Sequence, residues 1–452
     1  MTISRTICLG FLAVILTGSF LLMMPFSTTD GQWGNWLVAL FMSTSAVCVT
    51  GLAVVDPNSY FSFWGELILV LLVQIGGLGY MTMTTFLMLL IGRKFDLQQR
   101  FAIQESFDRP FLQGSRNLIK SIFATTLLFE LTGTVFLTYK FAQQYSLDEA
   151  LWLGIFHSVS AFNNAGFSLF KDNLMGYYDS WIVNLVITGL IIFGGIGYQV
   201  IIEFYFWLTH LLERKQRRFL FSLNFRVVLR TTIALLILGM LAFLFVESSN
   251  PDTLEAFNFK DRVLAAWFQS VTTRTAGFNT IDNGKLEFNS LLITMILMFI
   301  GASPSGTGGG IKTTTLSILA VCTRSVLRGN EEVILAKRTI PSTLILKAIA
   351  VTFGSLMTVL IAASLIALAE GRAHTPLDGS FGAVQILFEV VSAFGTVGLS
   401  MGITAQLLPL SQLVIIATMY IGRVGVILLM AAIVGDPKPS MVQYPEENLL
   451  IG

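Results

Sequence analysis

Four glycines along the chain lie in settings suited to binding a cation through backbone carbonyl groups. Gly51, Gly166, Gly277 and Gly398 belong to the similar stretches FMSTSAVCVTGL, FHSVSAFNNAGF, FQSVTTRTAGF and FEVVSAFGTVGL. They are separated by 115, 111 and 121 residues, and such an even period indicates repeated units. Glycine permits the positive φ that would turn carbonyls inward, and a ring of carbonyls can replace the hydration shell of an ion.

The segments around these motifs predict a membrane protein with several spans. Hydrophobic residues make up 54% of the chain and charged residues 12%, about half the charged share of soluble domains. We interpret the run after Arg5 as a first transmembrane helix, not a signal peptide. The long apolar segments before the motifs are Ile7–Met24, Leu118–Phe141, Val227–Val246 and Leu344–Leu368, and those after them are Leu67–Ile91, Ile182–Leu208, Leu291–Val321 and Leu413–Val434.

Each motif ends a half-polar stretch of about 12 residues, which is too short to cross a membrane core of about 30 Å as a helix. We therefore predict re-entrant hairpins, with a helix leading in and extended backbone leading out. Extended backbone at this depth requires burial in protein or a water-filled cavity, which four hairpins around one axis would supply together. The predicted fold is an all-α membrane protein of four fused helix–pore hairpin–helix units, with eight transmembrane helices, four pore helices and pseudo-fourfold symmetry. The predicted units are residues 1–100, 101–212, 213–330 and 331–452.

Basic residues predict the orientation. Residues 93–120 and 214–230 each carry six Lys or Arg, and residues 324–347 carry five. Because basic linkers stay on the cytoplasmic side, both termini are expected there, in a multi-pass protein of the plasma (inner) membrane. Three scattered cysteines and three isolated histidines predict neither a disulfide framework nor a transition-metal site.

With four such hairpins, the chain resembles the Trk/Ktr/HKT superfamily of potassium transporters over essentially its whole length, and its length is similar to that of the Ktr membrane subunit. The resemblance implies a selectivity filter in which backbone carbonyls bind K⁺. The Tyr-Gly that follows this glycine in potassium channels is absent, so we expect less strict selectivity. The implied filter residues are Val49, Thr50, Gly51, Asn164, Ala165, Gly166, Thr275, Ala276, Gly277, Thr396, Val397 and Gly398.

A glycine-rich loop, Gly301–Lys312, interrupts the second apolar segment of the third unit. Five glycines and Pro304 disfavour a helix in the sequence GASPSGTGGG. Neither a P-loop nor a GxSxG nucleophile motif fits its spacing. The resemblance implies an intramembrane gate below a cavity, formed by Gly301, Ser303, Pro304, Ser305, Gly306, Thr307, Gly308, Gly309, Gly310, Lys312 and Arg423. For the shorter clusters Gly76, Gly77 and Gly79, Gly194, Gly195 and Gly197, and Gly422 and Gly425, we predict close packing within continuous helices.

Three basic residues at membrane depth need partners. Arg423 lies midway along the last apolar segment, where a charge costs at least about 2.5 kcal/mol. We predict that it holds the glycine-rich loop closed and repels cations; an ion pair with an acidic residue elsewhere is the alternative. Lys312 either acts similarly or reaches the cytoplasmic surface. Arg274 is predicted to brace the filter, with Glu389 as a candidate partner.

Together these features predict the ion-translocating subunit of a Ktr-type potassium uptake system, not an enzyme. No cofactor is expected in this chain beyond K⁺, and the part played by Na⁺ stays open. The resemblance implies a homodimer and a cytosolic nucleotide-binding regulatory subunit of the KtrA type; no nucleic acid partner is expected. An ammonium- or sodium-conducting relative, a membrane enzyme and a carrier with inverted repeats are the alternatives. The shared loop orientation argues against the carrier, and the lack of a nucleophile–base pair argues against the enzyme.

Overall fold

The computed structural model describes residues 3–79, 115–213, 219–330, 332–373 and 381–435. Over this part the chain is a helical membrane protein. The predicted boundary near residue 100, the basic residues 93–109 and the second apolar segment of the first unit beyond Gly79 lie outside the described residues.

Sixteen α-helices and one two-stranded β-hairpin make up the described regular structure, apart from short 3-10 turns. The hairpin pairs β1 (Ile334–Leu335) with β2 (Arg338–Thr339). The helices are α1 (Ile3–Met23), α2 (Trp36–Val47), α3 (Pro57–Tyr60), α4 (Phe63–Leu78), α5 (Ser115–Phe141), α6 (Leu147–Phe162), α7 (Trp181–Ile196), α8 (Tyr198–Leu212), α9 (Leu223–Glu247), α10 (Phe259–Thr272), α11 (Phe288–Phe299), α12 (Thr313–Leu327), α13 (Ser342–Ala373), α14 (Ala383–Gly395), α15 (Pro409–Val424) and α16 (Val426–Val434).

In the described part of the chain, four helices are long and apolar enough to cross a membrane alone. They contain the spans Ser4–Met23, Ser121–Phe141, Leu223–Glu247 and Ser342–Gly371, and the number rises to six when the bent pairs α7–α8 and α15–α16 each count as one span. The four long helices coincide with the predicted first apolar segment of each unit. Their outward faces carry exposed apolar side chains such as Leu128, Leu238 and Leu360, as expected for contact with lipid.

The short helices α2, α6, α10 and α14 contain the predicted half-polar stretches, and each packs beside the long helix that precedes it. In three units the same hydroxyl makes the contact. Ser43 donates to the Ile15 carbonyl at 2.7 Å, Ser158 to that of Glu130 at 2.6 Å and Ser270 to that of Leu236 at 2.7 Å. A glycine of the long helix faces each of these serines, because a side chain at that position would overlap the serine hydroxyl. The three glycines are Gly18, Gly133 and Gly239.

The second apolar segments differ from the prediction of continuous helices. A bend of 102° at Gly197 separates α7 from α8, and one of 96° at Gly425 separates α15 from α16. Helix α4 ends at a third glycine, Gly79, and all three have positive φ, which a helix interior cannot accommodate. The last glycine of each cluster is therefore a helix break that the packing interpretation missed.

The other glycines of these clusters confirm the packing prediction. A Cβ built on Gly76 would overlap the Val47 carbonyl, one on Gly194 the Phe162 carbonyl, and one on Gly422 the Phe394 carbonyl. The second apolar segment thus lies directly against the end of the short helix of the same unit, where only glycine leaves room for the neighbouring backbone.

We therefore expect Gly194→Ala to destabilise the protein by about 1–3 kcal/mol, the usual cost of overpacking. Thermal unfolding of the purified protein in one detergent measures the effect as a lower transition midpoint. Gly189→Ala in the same helix is the matched control, because no neighbouring atom lies within 4 Å of its added Cβ. Equal midpoints for the two variants would contradict the proposed close approach.

Candidate functional site

The four glycine segments, Val49–Gly51, Asn164–Gly166, Thr275–Gly277 and Thr396–Gly398, meet in a closed ring. A Cβ built on Gly51 would lie 3.1 Å from the Gly166 Cα, one on Gly166 would lie 2.8 Å from the Gly277 Cα, and one on Gly277 would lie 3.2 Å from the Gly398 Cα. One on Gly398 would lie 3.1 Å from the Gly51 Cα, which closes the ring in chain order. The structure thus brings together all the residues predicted for the filter.

Backbone oxygens lie at every junction of this ring. The carbonyl oxygen of the residue before the glycine approaches the glycine of the neighbouring segment so closely that any side chain would overlap it. These four oxygens belong to Thr50, Ala165, Ala276 and Val397. A substitution at any of the four glycines would therefore displace a carbonyl of the adjacent segment.

The glycine segments share a strained backbone conformation. The predicted positive φ is confirmed at all four glycines, with values of 88°, 71°, 77° and 94° in chain order. The residue two positions earlier also has positive φ: Val49 at 57°, Asn164 at 59°, Thr275 at 66° and Thr396 at 51°. The sequence did not reveal the positive φ at Val49, Thr275 and Thr396, because Val and Thr disfavour this conformation, whereas Asn adopts it more readily. Such strain persists where the surroundings enforce it and is typical of functional sites.

Hydroxyl groups in the short helices help enforce this conformation. Ser45 and Ser392 accept from the Gly51 and Gly398 N–H groups at 3.0 and 3.1 Å. In the other two segments Ser160 and Thr272 donate to the carbonyls that follow the glycine. These four hydroxyls occupy one position of the repeated motif, so each segment is tied to its own short helix.

The glycine-rich loop lies beside the ring and is held by hydrogen bonds at several points. Its two ends are joined, since Gly301 N–H donates to the Ile311 carbonyl at 2.9 Å. Within its second half, Lys312 Nζ donates to the Gly308 carbonyl at 2.7 Å. Lys312 is half-buried, so of the two predicted placements the structure supports the one within the loop. Gly309 N–H donates to Thr396 Oγ1 at 2.8 Å, which attaches the loop to the ring.

The break in the α7–α8 pair supplies acceptors for the middle of the loop. Ser303 N–H donates to the Gly195 carbonyl at 3.0 Å, and Thr307 N–H to that of Gly194 at 3.2 Å. In return Tyr198 N–H donates to the Ser305 carbonyl at 3.3 Å. The last carbonyls of any helix lack an intrahelical partner, and here they bind the loop. Sequence reasoning missed this role, although the glycine cluster marked the place.

Arg423 joins three parts of the chain. Its guanidinium donates to the Thr307 carbonyl in the loop and to the Gly76 carbonyl at the end of α4, with Gly77 at 3.4 Å. A cation is stabilised at the negative end of a helix dipole, which α4 provides here. The predicted contact between Arg423 and the loop is present, and no acidic side chain of the described residues bonds to it.

Arg274 has a different partner from the one suggested by the sequence. Its Nη2 donates to the Gly301 carbonyl at 3.0 Å, at the start of the loop. Glu389 instead accepts from the Ser400 and Thr404 hydroxyls and from Met401 N–H. Glu389 thus orders the chain that follows the fourth glycine segment, while Arg274 connects the third segment to the loop.

Comparisons with known proteins agree with this architecture. The family model of the cation transport protein TrkH matches residues 6–444. The chain is 38% identical to the Ktr system potassium uptake protein B of Bacillus subtilis, covering 99% of this chain and 96% of the relative. It is 34% identical to the potassium/sodium uptake protein NtpJ of Enterococcus hirae, covering 99% and 97%. The crystal structure of the potassium transporter TrkH from Vibrio parahaemolyticus superposes with a TM-score of 0.69 at 18% identity, covering 95% of this chain and 85% of that one.

We expect Arg423→Ala to free the glycine-rich loop. Each bond to a charged group contributes about 1.5–3 kcal/mol, so the loop should open at least about tenfold more often. The measurement is the rate at which a water-soluble thiol reagent modifies Ser305→Cys, in a chain whose three native cysteines are replaced by alanine.

Arg262→Ala is the matched control for this experiment. The Arg262 guanidinium also bonds backbone carbonyls, those of Phe257 and Glu255, but none in the loop. Equal modification rates in the Arg423 variant, the Arg262 variant and the parent chain would show that Arg423 does not hold the loop.

Proposed function

The chain belongs to the TrkH family of cation transport proteins, and from this premise we propose that it takes up potassium across the plasma (inner) membrane. The closed ring of four glycine segments is the observation that carries the proposal. A monovalent cation that sheds its water needs oxygen ligands on all sides, and four backbone segments around one point can provide them.

In the proposed architecture four fused units surround one pathway. Each unit contributes a long helix, a short pore helix, a glycine segment and a second membrane helix, which gives eight transmembrane helices and four re-entrant hairpins. Residues 1–100, 101–212, 213–330 and 331–452 are the proposed units, with both termini in the cytoplasm. The equivalent serine–carbonyl contacts of α2, α6 and α10 support the repeat.

The proposed filter is formed mainly by backbone carbonyls of the four glycine segments. Potassium enters from outside, loses its water at the ring and moves inward down the membrane potential. A potential of 100 mV contributes about 2.3 kcal/mol per charge, so accumulation needs no ATP hydrolysis in this chain. The protein is accordingly proposed as a transporter and not as an enzyme.

The proposed gate is the glycine-rich loop with Lys312 and Arg423. Both side chains bond loop carbonyls, those of Gly308 and Thr307, and so place the Lys312 amine and the Arg423 guanidinium on the loop side of the ring. The positive charge of the Arg423 guanidinium repels a potassium ion, and the repulsion is strong in a medium of low dielectric constant. Opening then requires the loop to leave the Gly194 and Gly195 carbonyls and Arg423 to release Thr307.

We propose two partners, of which the similarity to a Ktr system protein supports a regulatory subunit. One is a second copy of this chain, in a homodimer. The other is a cytosolic nucleotide-binding regulatory subunit of the KtrA type, which would dock on the basic linkers that include Arg324 and Arg328.

Sodium conduction or sodium dependence is the second candidate, because the similar protein of Enterococcus hirae is described as a potassium/sodium uptake protein. The incomplete match to potassium-channel filters also points to moderate selectivity. Leu52, Phe167, Phe278 and Leu399 follow the four glycines, where potassium channels have tyrosine.

Rubidium uptake by a potassium-uptake-deficient strain that expresses this chain, with its regulatory partner and with or without sodium, tests the proposal. We expect saturable uptake that potassium competes away. Gly277→Ser should reduce uptake or its preference for potassium over sodium at least about tenfold, because its side chain would displace the Val397 carbonyl.

The matched control is Gly189→Ser, where the added side chain meets no neighbour within 4 Å of its Cβ. Unchanged uptake and selectivity in Gly277→Ser would mean that the ring is not the filter. Uptake of sodium alone by the parent chain would favour the second candidate.

A further inference from the structure

The glycine-rich loop is attached to the ring at both of its ends. Near its start, the Gly301 carbonyl accepts from Arg274, the residue just before the third glycine segment. Near its end, Gly309 N–H donates to the hydroxyl of Thr396, the first residue of the fourth segment. The loop therefore rests on two neighbouring glycine segments.

The contact leaves no gap at these two segments. A Cβ built on Gly308 would lie 2.8 Å from the Thr275 Cβ, and one built on Gly309 would lie 2.7 Å from the Thr396 Cγ2. The loop backbone therefore lies in direct contact with the side chains of Thr275 and Thr396. Glycine is therefore needed at positions 308 and 309 because a side chain there would overlap the threonines of the ring, and not only because glycine makes a loop flexible.

The chemistry of the contact is opposed to cation binding. A cation beside the Thr396 hydroxyl would use the oxygen lone pairs, whereas Gly309 presents a backbone N–H to the same oxygen. The partial positive charge of that N–H also repels a cation. Both Thr275 and Thr396 are fully buried, so no bulk water intervenes to screen the repulsion.

We propose that seating of the glycine-rich loop and binding of a cation at the Thr396 hydroxyl, on the loop side of the ring, exclude each other, with Thr396 as the shared contact and Arg274 as the positioning residue that holds the loop. This inference rests on the proposed function, because it assigns a regulatory role to the same ring. Linkage is reciprocal: if the seated loop weakens potassium binding, then potassium favours release of the loop by the same factor. A rise in potassium at the ring would thereby promote opening.

The test is the dissociation constant of K⁺, measured by titration calorimetry on the full chain in lipid nanodiscs. Gly309→Ala prevents seating without touching the ring backbone, and Gly189→Ala is the matched control. We expect the dissociation constant to fall at least about fivefold in Gly309→Ala, in the range of ordinary coupling, and to be unchanged in the control. The KM of rubidium uptake should fall in parallel.

A second pair of variants keeps the test independent of folding defects at position 309. Arg274→Gln weakens the attachment of the loop at Gly301 and should also lower the dissociation constant of K⁺. Arg274→Lys retains a positive donor and should keep the dissociation constant closer to the parent value. Equal K⁺ affinity in the parent chain, Gly309→Ala and Arg274→Gln would overturn the coupling. Absence of any K⁺ binding to the parent chain would instead overturn the proposed function.

Discussion

The structure is governed by the need to satisfy backbone polar groups inside a membrane, where water cannot do so. Helices meet this need along their length, but their last carbonyls and any interrupting loop do not. Here the unpaired carbonyls at a helix end and the unpaired N–H groups of a loop bond to each other. The loop between α11 and α12 carries N–H groups that need acceptors, and the break after α7 frees the Gly194 and Gly195 carbonyls that accept from it.

Arg423 satisfies the same constraint for a charge. The end of α4 presents the Gly76 and Gly77 carbonyls, the loop presents that of Thr307, and one guanidinium can bond all three with its fixed fork of donors. A lysine would offer a point charge and could not span two elements in this way. Since buried charges need full hydrogen bonding, any movement of the loop changes the environment of Arg423 as well.

The sequence predicted what depends on composition and local pattern. The long apolar helices, the short helices before each glycine and the positive φ of the four glycines all follow from hydropathy, period and the steric freedom of glycine. Of the long-range contacts, the one between Arg423 and the loop could be predicted, because a charge at membrane depth needs a partner, but the others could not. The bends at Gly197 and Gly425 need helix-breaking conformations that the surrounding apolar residues disguise, and the positive φ of Val49 and Thr396 opposes their own preference. The Arg274–Gly301 contact joins residues whose proximity depends on the packing of the third unit.

Differences between the four units explain how a ring can have one loop. An assembly of identical subunits would place the same loop under every segment, and four copies could not occupy one axis. Within the described part of this single chain the loop follows α11, while α7 supplies its acceptors, α15 its arginine and α4 the carbonyls for that arginine. The first residues of the four glycine segments differ accordingly. Thr275 and Thr396 meet the loop, Asn164 donates to Thr275 Oγ1 at 3.3 Å, and Val49 offers no polar group. Because the loop contacts only the third and fourth glycine segments, the four segments must differ in sequence for the loop to fit.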